Sequence, residues 1–391
     1  METLGRRIAE IRGRRGMSQR ELAQAASVSV DLVSKLEQGQ RRSARLDTVA
    51  ALAHALDVTL AELLGKPRGL GAKAEDGEVG AIRRSVLGLR PDRQDPPARA
   101  DLAVVIDDLW AAYWSGRYAH LARQLPDRID QARALTRDGR PADHALLASV
   151  LQLAGSLLAH LAQEDLAHLA LADACRAAEA SGDHLLFAAQ QATRSWVLSR
   201  QGLWSEAEHV AVTAAATVEP TLSRSSVDQV ALWGELLRYG TTAVARSGRQ
   251  TEAAELLGLV GAAASRMGHD QSTRYVGRAF GPTVAKMKAV DVAIAGGQAR
   301  RAIRLAEQVE HPAAAPTAMH SRYLLNVAWA QMADWRSQDA VDTLRQVEAL
   351  TPEMLLHQTI AHTIVAELLP RRSRQRLPGL VGLADRMGVS R

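Results

Sequence analysis

Apolar positions recur three and four residues apart along nearly the whole chain, the spacing of one helix face, and no alternating run is long enough to predict a strand. Near the N-terminus Leu4, Ile8 and Ile11 form such a stripe. Ser18 followed by Glu21 is a capping box, which satisfies free amides at a helix start, and Leu22, Ala23 and Ala26 then give an apolar face. After a turn at Ser27-Val28-Ser29, a further helix turns Val33 and Leu36 inward and Asp31, Ser34 and Lys35 outward. Gly39 ends it, as glycine does where the chain turns left-handed. Arg45–Leu56 predicts a fourth helix, and Thr59-Leu-Ala-Glu62 opens a fifth that closes at Gly65. The result is a small five-helix domain over residues 1–65, close to the lower practical size for one core.

Two stretches carry a resemblance, LGRRIAEIRGRRGMSQRELAQAASVSVDLVSKLEQGQRR and LDTVAALAHALDVTLAELLG. They resemble the phage-repressor-like, or XRE, helix-turn-helix family over roughly the first sixth of the chain. The resemblance implies a double-stranded DNA operator as partner. It places Ser29, Val30, Asp31, Ser34 and Lys35 where that family reads bases. Lysine can donate to guanine O6 and N7, a carboxylate can accept from cytosine N4, and valine can touch a thymine methyl. Gln19, Gln38, Gln40, Arg41 and Arg42 fall where the family grips phosphates, contacts that set register rather than sequence choice. The plainer alternative is an exposed helix in a protein-binding bundle.

Residues 66–76, rich in Gly, Pro and charge, read as a linker, and a connecting helix with a Pro-interrupted loop fills the stretch to residue 100. From 101 to 391, Ala- and Leu-rich segments alternate with short turns of one kind: Ser-Gly-Arg-Tyr118, Gln-Gly-Leu-Trp204, Ser-Gly-Arg-Gln250, Ala-Gly-Gly-Gln298 and Met-Ala-Asp-Trp335. The glycines at 202, 248 and 297 are 46 and 49 residues apart. Such periodic self-similarity marks stacked helical hairpins. It resembles the tetratricopeptide repeat family, with a longer period, and implies an all-α chain ending in a right-handed α-solenoid. Chains joining both modules resemble ligand-responsive regulators of the actinobacterial type, with a peptide or small metabolite as effector.

Charge divides along the same boundary. Residues 1–68 carry 12 Lys and Arg against 8 Asp and Glu, so nearly all of the net +5 sits where a polyanion would bind. Every aromatic residue lies from Trp110 onward. The solenoid is the place for a homodimer interface, because one small reader buries only about 600–1,000 Å² on DNA. Its concave face predicts an effector groove, lined from the first helix of each pair by Gln191, Arg194, Trp196, Trp233, Arg238, Tyr239, Arg274, Tyr275, Arg322, Tyr323, Asn326 and Trp329. Taken singly, each reads first as a core aromatic or a solvated cation; taken together, apolar walls with a few polar groups favour the groove.

The remaining features point to no chemistry. No glycine-rich phosphate loop, nucleophile turn or metal-protease helix is present, so neither catalysis nor a cofactor is expected. His160, Glu164 and His168 have one-face spacing, but Gln163-Glu164-Asp165 resembles a turn that breaks it. Cys175 among small and apolar neighbours reads as a buried thiol in a reducing cytoplasm. Arg371, Arg372, Arg374 and Arg376 read as a solvated loop, with a secondary DNA or dimer contact as the other reading. No apolar run of about 20 residues predicts a membrane span. The expected function is a DNA-binding transcriptional regulator with an effector; the alternative is a repeat scaffold for a partner protein, tethered to DNA by its reader.

Overall fold

The computed structural model describes residues 4–15, 17–40, 44, 46–56, 63, 75–90, 98–221, 223–277, 279–310, 315–373 and 376–389. Among these residues the chain is all-helical, with no strand and a single antiparallel bridge between Gln271 and Phe280. The N-terminal unit comprises α1 (Leu4–Arg14), α2 (Gln19–Ala25), α3 (Val30–Glu37) and α4 (Leu46–Ala55). Ile8, Leu22, Val33, Leu36, Leu52 and Leu56 fill its core, at most 1% exposed each. Of the expected fifth helix, Leu63 is helical and fully buried, and the rest lies outside the described residues, as does the linker at 66–74.

Helix α5 (Gly80–Val86) lays Ile82 and Val86 against the helix Tyr118–Leu135 and takes two hydrogen bonds from Arg133 to its last carbonyls, on Ser85 and Val86. The array proper runs through α6 (Arg99–Trp114), α7 (Tyr118–Leu135), α8 (Pro141–His160), α9 (Glu164–Ala180), α10 (His184–Gln201) and α11 (Trp204–Thr217). It continues through α12 (Val227–Arg246), α13 (Gln250–Met267), α14 (Pro282–Ala295), α15 (Ala299–Ala306), α16 (Thr317–Ala333) and α17 (Ser337–Leu350), and ends in α18 (Pro352–Leu356), α19 (Thr359–Leu368) and α20 (Leu380–Arg386). Consecutive helices pack on each other, and the first members of successive pairs also touch. Small residues set the spacing. A Cβ on Gly155 would lie 2.6 Å from Leu171, and one on Gly234 would lie 2.2 Å from buried Phe280.

The turns repeat one conformation. The second residue before the next helix is left-handed at Gly116, Ala162, Gly182, Gly202, Gly248, Gly297 and Trp335. Glycine tolerates this freely, whereas alanine and tryptophan crowd Cβ against the following carbonyl.

Two features depart from the sequence reading. Helix α8 is long and apolar enough to cross a membrane by length and composition, but its side chains are largely buried against α7, α9 and α10. The array also closes on itself, where an open groove was expected. Helix α16 packs on α6, Ala318 and Met354 join the core of α5–α9, and the Ala119 amide donates to Glu353 at 3.1 Å. A contact 234 residues apart in sequence leaves no trace in local periodicity.

Relieving the left-handed alanine should stabilise the array. Ala162→Gly is expected to add about 1 kcal/mol, read as a rise of about 1–2 °C in the thermal midpoint for an array of this length.

Candidate DNA-reading surface and half-open cavity

The reading surface is built on a bracket. Glu37, at the end of α3, accepts from Arg12 Nε and Nη2 at 2.7 and 2.9 Å and from Gln19 Nε2 at 2.7 Å. Arg12 also donates to the Met17 carbonyl at 2.7 Å. One carboxylate therefore ties α1, α2 and α3 together through charge-assisted bonds, the stronger kind. Burial pushes the Glu37 carboxyl up, but the bonds from Arg12 and Gln19 outweigh it and hold the group below its usual range. Helix α1 reaches α3 so closely that a Cβ on Gly5 would lie 1.7 Å from the Leu36 carbonyl oxygen.

On that support the outer face of α3 is presented to solvent. The Ser18–Glu21 box is formed in both directions, and Ser29 caps α3 by accepting from the Leu32 amide at 3.1 Å. Ser27 turns the chain in the left-handed region, at φ 52°, and Gly39 ends α3 at φ 71°. Val30 is 44% exposed. Lys35 and Asp31, both expected to face bases, pair with each other across one helical turn at 2.7 Å. An exposed pair of this kind is worth about 0.3–0.5 kcal/mol, small enough for a base edge to displace. Gln38 donates to Ser34 at 3.0 Å and Gln40 to Gln38 at 2.9 Å, leaving a polar ridge beyond α3. Gln19 is placed differently from the expectation, since its amide is engaged by Glu37. Arg41 and Arg42 lie outside the described residues.

The array forms a half-open cavity of about 310 Å³. Trp196, Arg238, Tyr239, Arg322, Tyr323 and Asn326 line it, bringing together part of the residue set expected for a groove. The others sit elsewhere. Trp233 is buried in the core, Gln191 bonds Cys175 at 3.6 Å and accepts from Arg194 at 2.9 Å, and Trp329 packs between apolar clusters. Arg274 and Tyr275 are corrected more sharply, because they lie in a loop after Gly268 and not on a helix. Both reach Asp183, at 3.4 and 2.9 Å, where that carboxylate also caps α10. The Gly, Ser and Thr of 268–281 were a turn signal that the repeat period obscured.

Sequence reasoning missed the cavity's electrostatics. Arg200, Arg246, Lys288 and Asp291 line it together with Arg238 and Arg322, so five cations face one carboxylate. Asp291 accepts from Lys288 at 2.7 Å and Arg246 at 3.2 Å, and Lys288 also donates to Thr242. Arg238 is held by buried Glu235 at 2.7 Å. Burial and the Arg238 charge pull Lys288 down to about 8, against the pull of Asp291. The available signal was a lysine and an aspartate three apart within the otherwise apolar run MKAVDVAIA.

Beside the cavity, His160 Nε2 receives Arg322 at 2.7 Å and lies 3.2 and 3.3 Å from the hydroxyls of Tyr113 and Tyr118. Burial, then the charges of Arg322 and Arg200, push His160 far below its ordinary range, so it is neutral and accepts. The left-handed turn at Ala162 separates it from Glu164, and His168 pairs with Gln201. No group of three metal-ligating side chains occurs among the described residues. Cys175 is buried, which pushes its thiol up. Arg371 donates to the Met332 carbonyl and covers Trp335 at 4.4 Å, and Arg374 lies outside the described residues.

The depressed Lys288 sets a pH dependence. Below about pH 8 the folded chain holds a buried ammonium, and between 8 and the lysine reference of 10.5 the unfolded chain binds the extra proton, so folding gains stability as pH rises. Denaturant titrations should show this gain in the parent and its loss in Lys288→Met.

Trp204 joins the two regions, since it lines the cavity and also packs against the apolar core of the N-terminal unit. No curated protein matches the chain. Residues 8–63 match the helix-turn-helix family model, and the four described helices of the N-terminal unit with α3 exposed fit a helix-turn-helix of the XRE type, which supports a DNA-binding regulator.

Proposed function

We propose that the chain is a sequence-specific transcriptional regulator whose half-open cavity takes an effector that alters operator affinity. The observation that carries this reading is Trp204, one side chain that belongs both to the cavity wall and to the packing of the DNA-reading unit. An occupant that shifts Trp204 changes what the reader rests on. A coupling of about 1–3 kcal/mol changes operator affinity some 5- to 150-fold.

Residues 1–65 act as the reader, 66–100 connect, and 101–391 form a tetratricopeptide-like right-handed solenoid that also dimerises. Two readers then engage half-sites about 34 Å apart, one helical turn of DNA. Val30, Asp31, Ser34 and Lys35 face bases, with Ser29 setting the helix start. Gln38, Gln40, Arg41 and Arg42 hold the backbone, and Gln19 fixes the bracket from which α3 projects. The cavity's size, near the lower end of the 300–1,000 Å³ typical of ligand pockets, favours a small metabolite over an extended peptide.

Selection of bound fragments from the source genome should yield an operator. On it, Lys35→Ala should cost about 1–3 kcal/mol and relax choice at one base pair, whereas Arg41→Ala should weaken all sequences and flatten the salt slope by about one. Full operator affinity in both variants refutes the assigned face. Trp204→Ala should keep operator binding and lose its response to metabolite extract; an unchanged response removes the coupling.

A further inference from the structure

The polar groups that remain unsatisfied around the cavity are all able to donate. Arg200, half-buried at the end of α10, makes no hydrogen bond or ion pair among the described residues and feels only the more distant charge of Glu164 in its favour besides the tyrosines. Arg322 donates to neutral His160 and is hydrogen-bonded to the Tyr113 and Tyr118 hydroxyls, but it has no carboxylate partner among the described residues. Both guanidiniums lie 5.3 Å from the centroid of the Trp196 ring, and burial together with the Arg322 charge pushes Arg200 below its ordinary range. Two further lining groups, the Ser199 hydroxyl and the Gln358 Nε2, are more than nine-tenths buried and have no hydrogen-bond partner. Buried polar groups without partners are rare and costly, and unpaired buried cations more so. On the opposite wall the charges are organised among themselves: Glu235 holds Arg238, and Asp291 holds Lys288 and Arg246. The positive excess therefore concentrates at Arg200 and Arg322.

Resting on the effector reading above, we infer that the occupant is a small organic acid, with its carboxylate or phosphoryl group on Arg200 and Arg322 and an apolar or aromatic body along Trp196 and Tyr323. Guanidiniums bind such oxyanions through short charge-assisted bonds, and Ser199 and Gln358 supply further donors. The aromatic walls suit a flat apolar body. A neutral ligand of the same shape leaves the arginine pair uncompensated.

The test compares three probes of one shape on the full-length protein: 1-naphthoate, 1-naphthyl phosphate and the neutral 1-naphthamide, followed by tryptophan quenching and calorimetry. At least one acid should bind about 10- to 100-fold more tightly than the amide, the span of a hydrogen bond to a charged group. Arg200→Gln should bring that ratio close to one while its melting temperature equals or exceeds the parent's, because a repelled, unpartnered charge is gone. Arg322→Gln should lose the same discrimination, even if it also loosens the His160 contact. Equal binding of acid and amide, no binding of any probe at millimolar concentration, or undiminished acid binding by Arg200→Gln each overturns the anion assignment. The effector reading fails separately, when operator affinity never responds to metabolite extract whatever the probes do.

Discussion

Arg200 and Arg322 converge on one indole ring in a part of the molecule where neither meets a carboxylate. Like charges brought together out of bulk water repel, and the surrounding structure must hold them against that repulsion. It does so by distributing the rest of the cavity's charge into closed sets. Glu235 neutralises Arg238, Asp291 is shared by Lys288 and Arg246, and His160 is kept uncharged so that it can accept from Arg322. These arrangements draw residues from α8, α10, α12, α14 and α16, so the cavity's electrostatics and the packing of the array are one problem. Sites that keep such an imbalance sacrifice stability for binding, a common trade in ligand pockets.

How much of this was legible in the chain depended on range. The helix-turn-helix could be read closely because its signals are local: the Ser18–Glu21 box and Gly39 each act within four residues, whereas Ser29, expected among the base readers, caps α3 with its side chain. The later helices at Trp204, Gln250, Ala299 and Ser337 likewise start where the repeated turns place them. Arg274 and Tyr275 were misplaced because the repeat pattern was extended across a stretch that folds as a loop anchored on Asp183 and Asp228. The charged cavity was illegible for a different reason. Arg200, Arg246, Asp291 and Arg322 come from four helices spread over more than a hundred residues, and no local pattern distinguishes them from surface charges.

The bracket at Glu37 and the contact at Trp204 divide the labour in the reader. The first fixes the three helices of the N-terminal unit relative to one another, so α3 moves as part of a rigid block. The second bears on that block from outside, at the first residue of α11 and two residues beyond the left-handed Gly202. In the proposed regulation, a unit braced in this way would carry a small displacement of Trp204 as one body, because packed cores respond as units.

Closure of the array has a consequence for its ancestry. Open stacks of hairpins lengthen or shorten by whole units, since each contacts only its neighbours. Here α16 meets α6, and Glu353 reaches back to the Ala119 amide. Duplicating or deleting a single hairpin would carry those partners out of register, so the number of units is fixed as the number of staves is in a barrel. Variation in such a lineage must enter by substitution of lining residues and by changes in the turns, and not by adding repeats.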